Sequence, residues 1–327
     1  MSAEDKIVEF LRNRGEEGAL QSEISKVLGL SKSTVSEVIQ ILEERGEVVR
    51  ERVAGKSMRV WLSEFAPRPV SGLIRVGVLR ASEYPHILLA CEELGARVKV
   101  FDSAIELTRS LAFGTIDLGV SPFITQVMFA LTLRSIKIHC VVAMNGSGVL
   151  MKKGLEDCEV FATSELSAME SNLKLFLERS GIDLADVSFR YQPNPESMIK
   201  RFESCEFDAV AIWEPYFTML KEKYEHIEFK EAIGDFPCCS LSSNVQFYKS
   251  RRDSLEKFIE TLKRFAKGFD EKRASELIAE KMEFDVKLVR KSFESYEFLA
   301  DLKFEHFEFL ENYGLKLTKE AVKSITA

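Results

Sequence analysis

The sequence lacks the residue patterns from which most metal centres and redox sites are built. It contains only four histidines, and its six cysteines include no CxxC pair and no cluster with histidine at metal-ligand spacing. We therefore expect reduced structural thiols, no metal ion and no cofactor. The vicinal pair Cys238-Cys239 leaves a redox-sensing role open, although the strand-like run that follows it favours a structural one.

Long apolar runs are also missing. No window reaches the roughly 18 consecutive apolar residues of a membrane helix, and the start MSAEDKIVEFLRNRGEE carries charges where a signal peptide needs an apolar core. The sequence therefore predicts a cytoplasmic protein with no membrane partner. With 327 residues and 46% hydrophobic content, the chain is long enough for two or three structural units.

The N-terminal region shows three helical segments followed by a hairpin. The segments are EDKIVEFLRNRG, QSEISKVLGL and SKSTVSEVIQILEERG. In the third segment Ser31 is a plausible N-cap, and an apolar stripe runs from Val35 to Leu42 at the spacing i, i+3, i+4, i+7. The stretch EVVRERVAGKSMRVWLS then alternates as a two-stranded hairpin does, with its turn at Ala54-Gly55-Lys56.

Helix, helix, turn, helix and hairpin in this order resemble the winged helix-turn-helix of the MarR-like and IclR-like repressors, over residues 4 to 63. The resemblance implies duplex DNA as a partner. It also implies a homodimer, because one winged helix reads few bases. The third helix would present polar residues to the major groove, and the wing would supply positive charge. The candidate DNA-binding residues are Lys32, Ser33, Thr34, Ser36, Glu37, Gln40, Arg50, Arg52, Lys56 and Arg59.

The charge of this region leaves an alternative open. Residues 1 to 66 hold ten basic and twelve acidic side chains, which is not the basic excess of a strong DNA binder. The hairpin from 50 to 59, however, carries four basic residues and one acidic residue, so positive charge is concentrated there. A winged helix used for dimerisation or protein contact remains the alternative interpretation.

A change of pattern marks the end of this domain. The stretch EFAPRPVSGL contains Pro67, Pro69 and Gly72, which interrupt both helix and strand patterns. We predict a DNA-binding domain at residues 1–66, a linker at 67–73 and a ligand-binding domain at 74–327. Strands and helices then alternate from IRVGVLR to FDAVAIW, which predicts an α/β fold with a largely parallel sheet.

The second domain resembles the type II periplasmic-binding-protein fold, in the subgroup that binds alkanesulfonates, nitrate and thiamine-precursor pyrimidines. The resemblance covers about 74 to 325 and is carried mainly by GID, DV and FDAVAIWEPY, with FGTIDLGVS and FLENYGLKLTKEAV in support. It implies two lobes around a cleft. Lobe one would span about 74–150 and 240–327, and lobe two about 151–239.

One stretch of lobe two departs from the family pattern. Family members often hold an anion at the start of a lobe-two helix, through a Gly-Ser pair and the helix N-terminus. Here the stretch reads FATSELSAMES, in which Ser167 and Glu170 fit a capping box and Glu165 adds negative charge. This composition argues against a sulfonate or nitrate ligand.

The strand FDAVAIW ends in Trp213-Glu214-Pro215-Tyr216. Ligands lie at the carboxyl ends of strands in open α/β sheets, so the fold would place these residues at the cleft, with rings to stack on a planar ligand. Alternatively, Glu214 and Pro215 simply begin a helix. The same geometry gives the full set of ligand-binding candidates, which is Arg80, Ser82, Tyr84, His86, Ser121, Pro122, Asn145, Ser147, Thr163, Ser164, Trp213, Glu214 and Tyr216.

Two functions from different classes fit the sequence. The first is a DNA-binding transcriptional regulator that senses a small cytoplasmic metabolite in the interlobe cleft and is not an enzyme. The second is an enzyme on the same fold, similar to chorismate dehydratase, with the winged helix as an accessory. The first is favoured because the cleft candidates include no nucleophile–base pair, and His86 has no catalytic partner.

Overall fold

The computed structural model describes residues 2–327. The N-terminal domain consists of α1 (Ala3–Arg14), β1 (Ala19–Leu20), α2 (Gln21–Leu28), α3 (Lys32–Glu44), β2 (Val48–Ala54) and β3 (Ser57–Leu62). Its three strands form a small antiparallel sheet in the order β1-β3-β2. This is the predicted arrangement of three helices and a hairpin, with the two-residue strand β1 as an addition.

Apolar side chains at helical spacing build the core of this domain. Leu11 of α1, Ile24 of α2 and Ile39 of α3 are fully buried against one another and against the hairpin. The side chain of Ser31 accepts the backbone N–H of Thr34 at 3.0 Å, so α3 begins at the predicted N-cap.

The larger domain contains two lobes. Lobe one begins with β4 (Arg75–Leu79), α4 (Pro85–Leu94), β5 (Arg97–Phe101), α5 (Ala104–Phe113), β6 (Leu118–Pro122), α6 (Phe123–Leu133) and β7 (Ile136–Asn145). Lobe two consists of β8 (Ser147–Met151), β9 (Val160–Thr163), α7 (Ala168–Arg179), β10 (Ser188–Tyr191), α8 (Pro195–Glu203), β11 (Ala209–Trp213), α9 (Tyr216–Leu220), β12 (Glu225–Glu228) and α10 (Phe229–Ile233). The chain then completes lobe one with β13 (Pro237–Asn244), α11 (Val245–Ser250), α12 (Arg252–Ala266), α13 (Glu271–Met282), α14 (Val286–Ser292), β14 (Tyr296–Asp301), α15 (Phe304–Phe309) and α16 (Lys319–Ile325).

Each lobe is built on a mixed sheet. The strand order is β14-β7-β13-β6-β4-β5 in lobe one and β10-β9-β11-β8-β12 in lobe two. In lobe one only β4, β5 and β6 pair in parallel, whereas β13, β7 and β14 are antiparallel to their neighbours. The prediction of a largely parallel sheet is therefore wrong for half of lobe one, because the returning strand β13 enters between β6 and β7.

The chain crosses between the lobes twice. The first crossing is Gly146, between β7 and β8, and the second lies at residues 234–236, between α10 and β13. Gly146 has a φ of +79°, and a Cβ there would overlap the ring of Tyr296, so this sharp crossing requires glycine. The strand-like runs on either side of this glycine, SIKIHCVVAMN and SGVLMKK, consequently belong to two different sheets.

The C-terminal third is mostly helical. The run SSNVQFYKS ends β13 with its first three residues and continues as α11. The aromatic stretch after Phe293 forms the edge strand β14 before α15 begins. No helix among residues 2–327 combines the length and apolarity needed to span a membrane.

A buried ion pair fastens the end of the N-terminal domain to lobe one. The guanidinium of Arg75 donates to the carboxylate of Asp117 from Nε at 2.9 Å and from Nη2 at 2.8 Å, and both side chains are buried. Its Nη1 donates to the carbonyl of Ala66, immediately before the linker. A second contact joins Lys99 of β5 to Glu16, with Nζ and Oε1 2.7 Å apart. Lobe one therefore holds the N-terminal domain at two points.

Candidate functional site

Helix α3 presents a polar face to solvent. Lys32, Ser33, Glu37 and Gln40 are exposed, whereas Thr34 and Ser36 are half-buried. The hydroxyl of Ser33 lies 2.7 Å from that of the capping residue Ser31. Gln40 donates to Glu44 at 3.1 Å, an exposed contact that a base edge can replace. The helix thus offers short polar side chains around its first two turns.

The wing separates its four basic residues into two groups. Arg50 is paired with Glu43, with Nη2 and Oε2 2.6 Å apart, and Arg59 donates to the carbonyl of Glu17 at 2.9 Å. Arg52 and Lys56, near the tip, are exposed and form no ion pair with any described residue. The free positive charge of the hairpin is therefore concentrated at its tip, where a phosphate backbone would be reached first.

A cavity of about 550 Å³ lies between the two lobes. Lobe one contributes the carboxyl ends of β4, β5 and β6, and lobe two the carboxyl ends of β9, β10 and β11. The start of β13, next to the second crossing, also lines it. This is the position at which open α/β sheets bind ligands, because the strands end there and the loops that follow them converge.

Three of the thirteen ligand-binding candidates line this cavity. Pro122 and Ser164 stand at the ends of β6 and β9, and Trp213 ends β11. The indole of Trp213 is half-buried, and its Nε1 donates to the carbonyl of Arg80 at 3.1 Å. Its ring is therefore held across the lobe boundary while one part faces the cavity.

Glu214 and Tyr216 do not line the cavity. Glu214 is fully buried and accepts the backbone N–H of Thr218 at 3.0 Å, the Thr218 hydroxyl at 2.8 Å and the Ser295 hydroxyl at 2.8 Å. Burial raises its pKa, although these hydrogen bonds act in the opposite direction. Tyr216 donates to Glu196 at 3.1 Å. The carboxylate of Glu214 thus joins the start of α9 to lobe one.

The other eight candidates also lie outside the lining. Hydrogen bonds within the protein engage five of them, namely Arg80 with Asp102, Ser82 with Ser292, Ser121 with Thr108, Asn145 with Asp235 and Tyr84 with Glu83. His86 is fully buried against Phe298, which lowers its pKa to about 4.

The hydroxyls of Ser147 and Thr163 are buried without a hydrogen-bond partner among residues 2–327. Ser147 follows the first crossing and Thr163 ends β9, one residue before the lining residue Ser164. A buried hydroxyl without a partner is costly, so water or a ligand group is expected to satisfy them.

Most lining residues were not identified from the sequence. They are Leu79, Glu83, Asp102, Ser103, Ala104, Ile105, Glu106, Glu165, Ser167, Ala168, Met169, Tyr191, Gln192, Pro193, Asn194, Cys238 and Cys239. Several of them lie in the loops that follow β5 and β10. Those loops contain no sequence motif, so the sequence did not mark these residues as ligand-binding candidates. Ser167 accepts the backbone N–H of Glu170 at 3.3 Å, so it caps α7 as predicted.

The lining carries one sign of charge. Its ionisable residues include Glu83, Asp102, Glu106 and Glu165, and no described lining residue is a lysine, arginine or histidine. At the head of α7, Glu170 accepts from Lys174 at 2.6 Å and from Tyr191 at 2.8 Å. The potential in the cavity therefore favours a neutral or cationic ligand over an anion.

The two cysteines lie beside the carboxylate of Glu83. The thiol of Cys238 donates to its Oε2 at 3.1 Å and that of Cys239 to its Oε1 at 2.9 Å. The hydrogen bond between the thiols lowers the pKa of Cys238, but burial and the charge of Glu83 outweigh it and raise that pKa to about 11. Burial, helped by the contacts with Cys238 and Glu83, also raises the pKa of Cys239 well above its usual range.

Fold and site together define the class of this protein: a MarR-type helix-turn-helix domain joined to a two-lobed periplasmic-binding-protein-like domain. Residues 7–56 match the model of the MarR family. A sequence comparison with curated proteins found no match.

Solved structures support the second half of this description. The alkanesulfonate-binding protein SsuA from Xanthomonas axonopodis pv. citri, bound to MOPS, is 16% identical with a TM-score of 0.65, covering 80% of this chain and 99% of that one. The ligand-binding component of an ABC-type import system from Staphylococcus aureus, with zinc bound, is 15% identical with a TM-score of 0.64, covering 78% and 99%. The periplasmic nitrate-binding protein NrtA from Synechocystis PCC 6803 is 11% identical with a TM-score of 0.62, covering 79% and 86%. At these identities the likeness is one of fold.

Proposed function

We propose that this protein is a homodimeric, cytoplasmic transcriptional regulator whose DNA binding responds to a small molecule in the interlobe cavity. One observation carries the proposal: the same chain contains a MarR-family domain and a binding-protein fold with a cavity of about 550 Å³ at its strand ends. The first part supplies contact with DNA and the second supplies a site for an effector. No enzymatic activity is proposed.

The cavity supports a particular class of effector. Its lining is acidic and includes the rings of Trp213 and Tyr191, so it suits a neutral or cationic molecule with a planar group. SsuA and NrtA are named for sulfonates and nitrate, which are anions. An effector of that charge would meet Glu83, Asp102 and Glu165 without a basic partner among the lining residues that the structure describes. We therefore propose that the fold is shared with those proteins and the ligand is not.

The contacts between the domains support a mechanism by which movement of lobe one changes DNA binding. Arg75 and Asp117 fix the residue before the linker to lobe one, and Glu16 adds a surface contact to Lys99. Movement of lobe one would therefore carry the winged helix with it. In a dimer, lobe closure would change the separation of the two recognition helices, and half-site spacing depends on that separation.

DNA binding can be tested without knowing the effector. Selection of duplexes from a random library should yield a preferred site with two related half-sites, because a dimer presents two copies of α3. Affinity for that site should fall steeply with salt, as expected when Lys and Arg neutralise phosphates. Recovery of no preferred sequence, together with affinity that does not depend on salt, would favour a winged helix used for protein contact.

A further inference from the structure

Three potential metal ligands meet in the interlobe cavity although they are far apart in the sequence. The carboxylate of Glu83 and the thiols of Cys238 and Cys239 lie within 4.8 Å of one another, and all three residues line the cavity. Glu83 precedes the cysteines by 155 and 156 residues. Spacing along the chain, on which the expectation of no metal site rested, therefore contains no sign of this cluster.

The backbone of β13 explains how two adjacent cysteines share one side. Neighbouring residues on a regular strand point to opposite faces of the sheet. Where β13 pairs with β7, however, the register shifts between Pro237 and Cys239 and again between Cys239 and Ser240. Such irregularities redirect side chains, and here the two sulfur atoms are 3.7 Å apart.

The separations match a tetrahedral ion. Two thiolates bound to one zinc ion at about 2.3 Å in tetrahedral geometry are about 3.8 Å apart, close to the separation of the two sulfurs. A zinc-bound carboxylate oxygen would be about 3.5 Å from each sulfur. The oxygens of Glu83 are at 3.1 Å from Cys238 and 2.9 Å from Cys239, so a small outward movement would admit the ion.

The surroundings also suit a cation. Tyr84 is fully buried and donates its hydroxyl to Oε1 of Glu83, as groups behind a metal ligand commonly do. Asp102, Glu106 and Glu165 add negative charge to the same cavity. Three protein ligands would leave the fourth position of a tetrahedral ion facing the cavity, where a small molecule or water can bind.

We propose that Glu83, Cys238 and Cys239 form a binding site for a zinc-class divalent ion in the interlobe cavity, with the fourth coordination position open to a cavity ligand. Two thiolates and one carboxylate suit a borderline-soft ion such as Zn²⁺ rather than Mg²⁺ or Ca²⁺. Binding releases the two thiol protons to solvent and involves no oxidation of sulfur. This proposal does not depend on DNA binding.

Titration with Co²⁺ under reducing conditions tests the site in the full-length protein. Co²⁺ replaces zinc in such sites, and thiolate ligands give it an intense charge-transfer absorption in the near ultraviolet. The wild-type protein should bind one equivalent with this absorption. Cys238→Ser and Cys239→Ser should each weaken the affinity at least about tenfold and reduce the absorption, and Glu83→Gln should weaken the affinity while keeping the absorption.

The matched control is Cys205→Ser, since Cys205 is an exposed thiol outside the cavity. It should bind Co²⁺ as the wild type does. Absence of the absorption in the wild type, its persistence in the double variant Cys238→Ser/Cys239→Ser, or its loss in Cys205→Ser would overturn the proposal.

A second measurement avoids the risk that a cavity variant fails to fold. X-ray absorption at the zinc edge of the wild-type protein loaded with one equivalent of Zn²⁺ should show two sulfur neighbours at about 2.3 Å and lighter neighbours near 2.0 Å. A shell containing only oxygen and nitrogen would contradict the site. DNA affinity enters neither measurement, so failure of the regulator proposal would leave these results unchanged.

Discussion

At the scale of single residues, burial gives His86 a clear effect on pH dependence. The ring is fully buried beside Phe298, and its pKa falls from 6.5 to about 4. The unfolded chain takes up this proton near pH 6.5 while the folded chain does not. The stability associated with neutral His86 is therefore complete above that pH and is lost as the pH falls toward 4. A lowering of this size corresponds to about 3 kcal/mol.

Replacing His86 with Phe should make the free energy of unfolding less dependent on pH between about 7 and about 5. Urea denaturation across that range measures the difference. His139, whose burial also lowers its pKa to about 4, should retain part of the dependence in the variant. The exposed His226 provides the control, and His226→Gln should follow the wild-type curve. If the free energy of unfolding depends on pH equally in His86→Phe and in the wild type, burial of His86 is not the cause of that dependence.

The ion pair of Arg75 and Asp117 should contribute much more than a surface pair. Asp117→Asn leaves the guanidinium of Arg75 buried without its counter-charge, so the free energy of unfolding should fall by about 3–5 kcal/mol. The exposed pair of Arg252 and Glu256 provides the comparison, and Glu256→Gln should lower the free energy of unfolding far less, because solvent screens that pair. Chemical denaturation of both variants measures the two losses in the free energy of unfolding. Similar small losses would show that the buried pair does not anchor the linker.

Glu214 illustrates what a sequence pattern can and cannot predict for one residue. The end of a strand and the start of a helix were both visible in Trp213-Glu214-Pro215-Tyr216, and both are present. Which side chain would face the cavity depends on partners far along the chain. Ser295, 81 residues later, donates to Glu214, while Trp213 keeps a face on the cavity. Those distant contacts were not predictable from the local pattern.

At the scale of elements, the wing makes a direct prediction. Arg52→Glu together with Lys56→Glu should weaken binding to every DNA sequence and flatten the dependence of affinity on salt, because two phosphate contacts are lost. Fluorescence anisotropy titrations at several salt concentrations measure both effects. The control is Lys281→Glu with Lys287→Glu, which makes the same change in net charge on exposed residues of lobe one. An unchanged salt slope in the wing variant would remove the wing from the DNA interface.

Helix α3 makes a different prediction, about sequence preference. Gln40→Ala should relax the choice of base at one position of each half-site, by about 1–3 kcal/mol, while leaving binding to random DNA nearly unchanged. Selection from a random library with each protein compares the preferred sites. Asn13→Ala, at an exposed position of α1, is the matched control. If the variant and the parent select identical sites, other residues read the bases.

Elements with local signals were predictable, and elements defined by long-range pairing were not. Ser31 and Ser167 each lie directly before the helix they cap, and the apolar stripe of α3 lies within that helix, so these local signals predicted the helix positions correctly. The direction of β13 and the existence of β14 depend on strands about a hundred or more residues earlier. The meeting of Glu83 with Cys238 has the same origin, since it requires the chain to leave lobe one and return.

At the scale of the whole molecule, the account requires two states of the cavity that differ in DNA affinity. A ligand shifts such an equilibrium only through its different affinity for the two states. The cavity is bounded by strand ends from both lobes, so closure brings more protein into contact with a bound ligand. Lobe one, held to the N-terminal domain through Arg75, would transmit the change. Bound ligand should therefore change the free energy of operator binding by about 1–3 kcal/mol.

The most direct test is an operator-binding titration with and without the low-molecular-mass fraction of a cell extract, for the wild type and for Ala104→Trp. Ala104 lines the cavity, so tryptophan there should exclude the ligand, and Ala321→Trp on α16 is the matched control. The account predicts that the extract changes the operator Kd of the wild type and the control by about 5- to 150-fold and leaves that of Ala104→Trp unchanged, with equal ligand-free affinities in all three. No response in the wild type, or an undiminished response in Ala104→Trp, would contradict it.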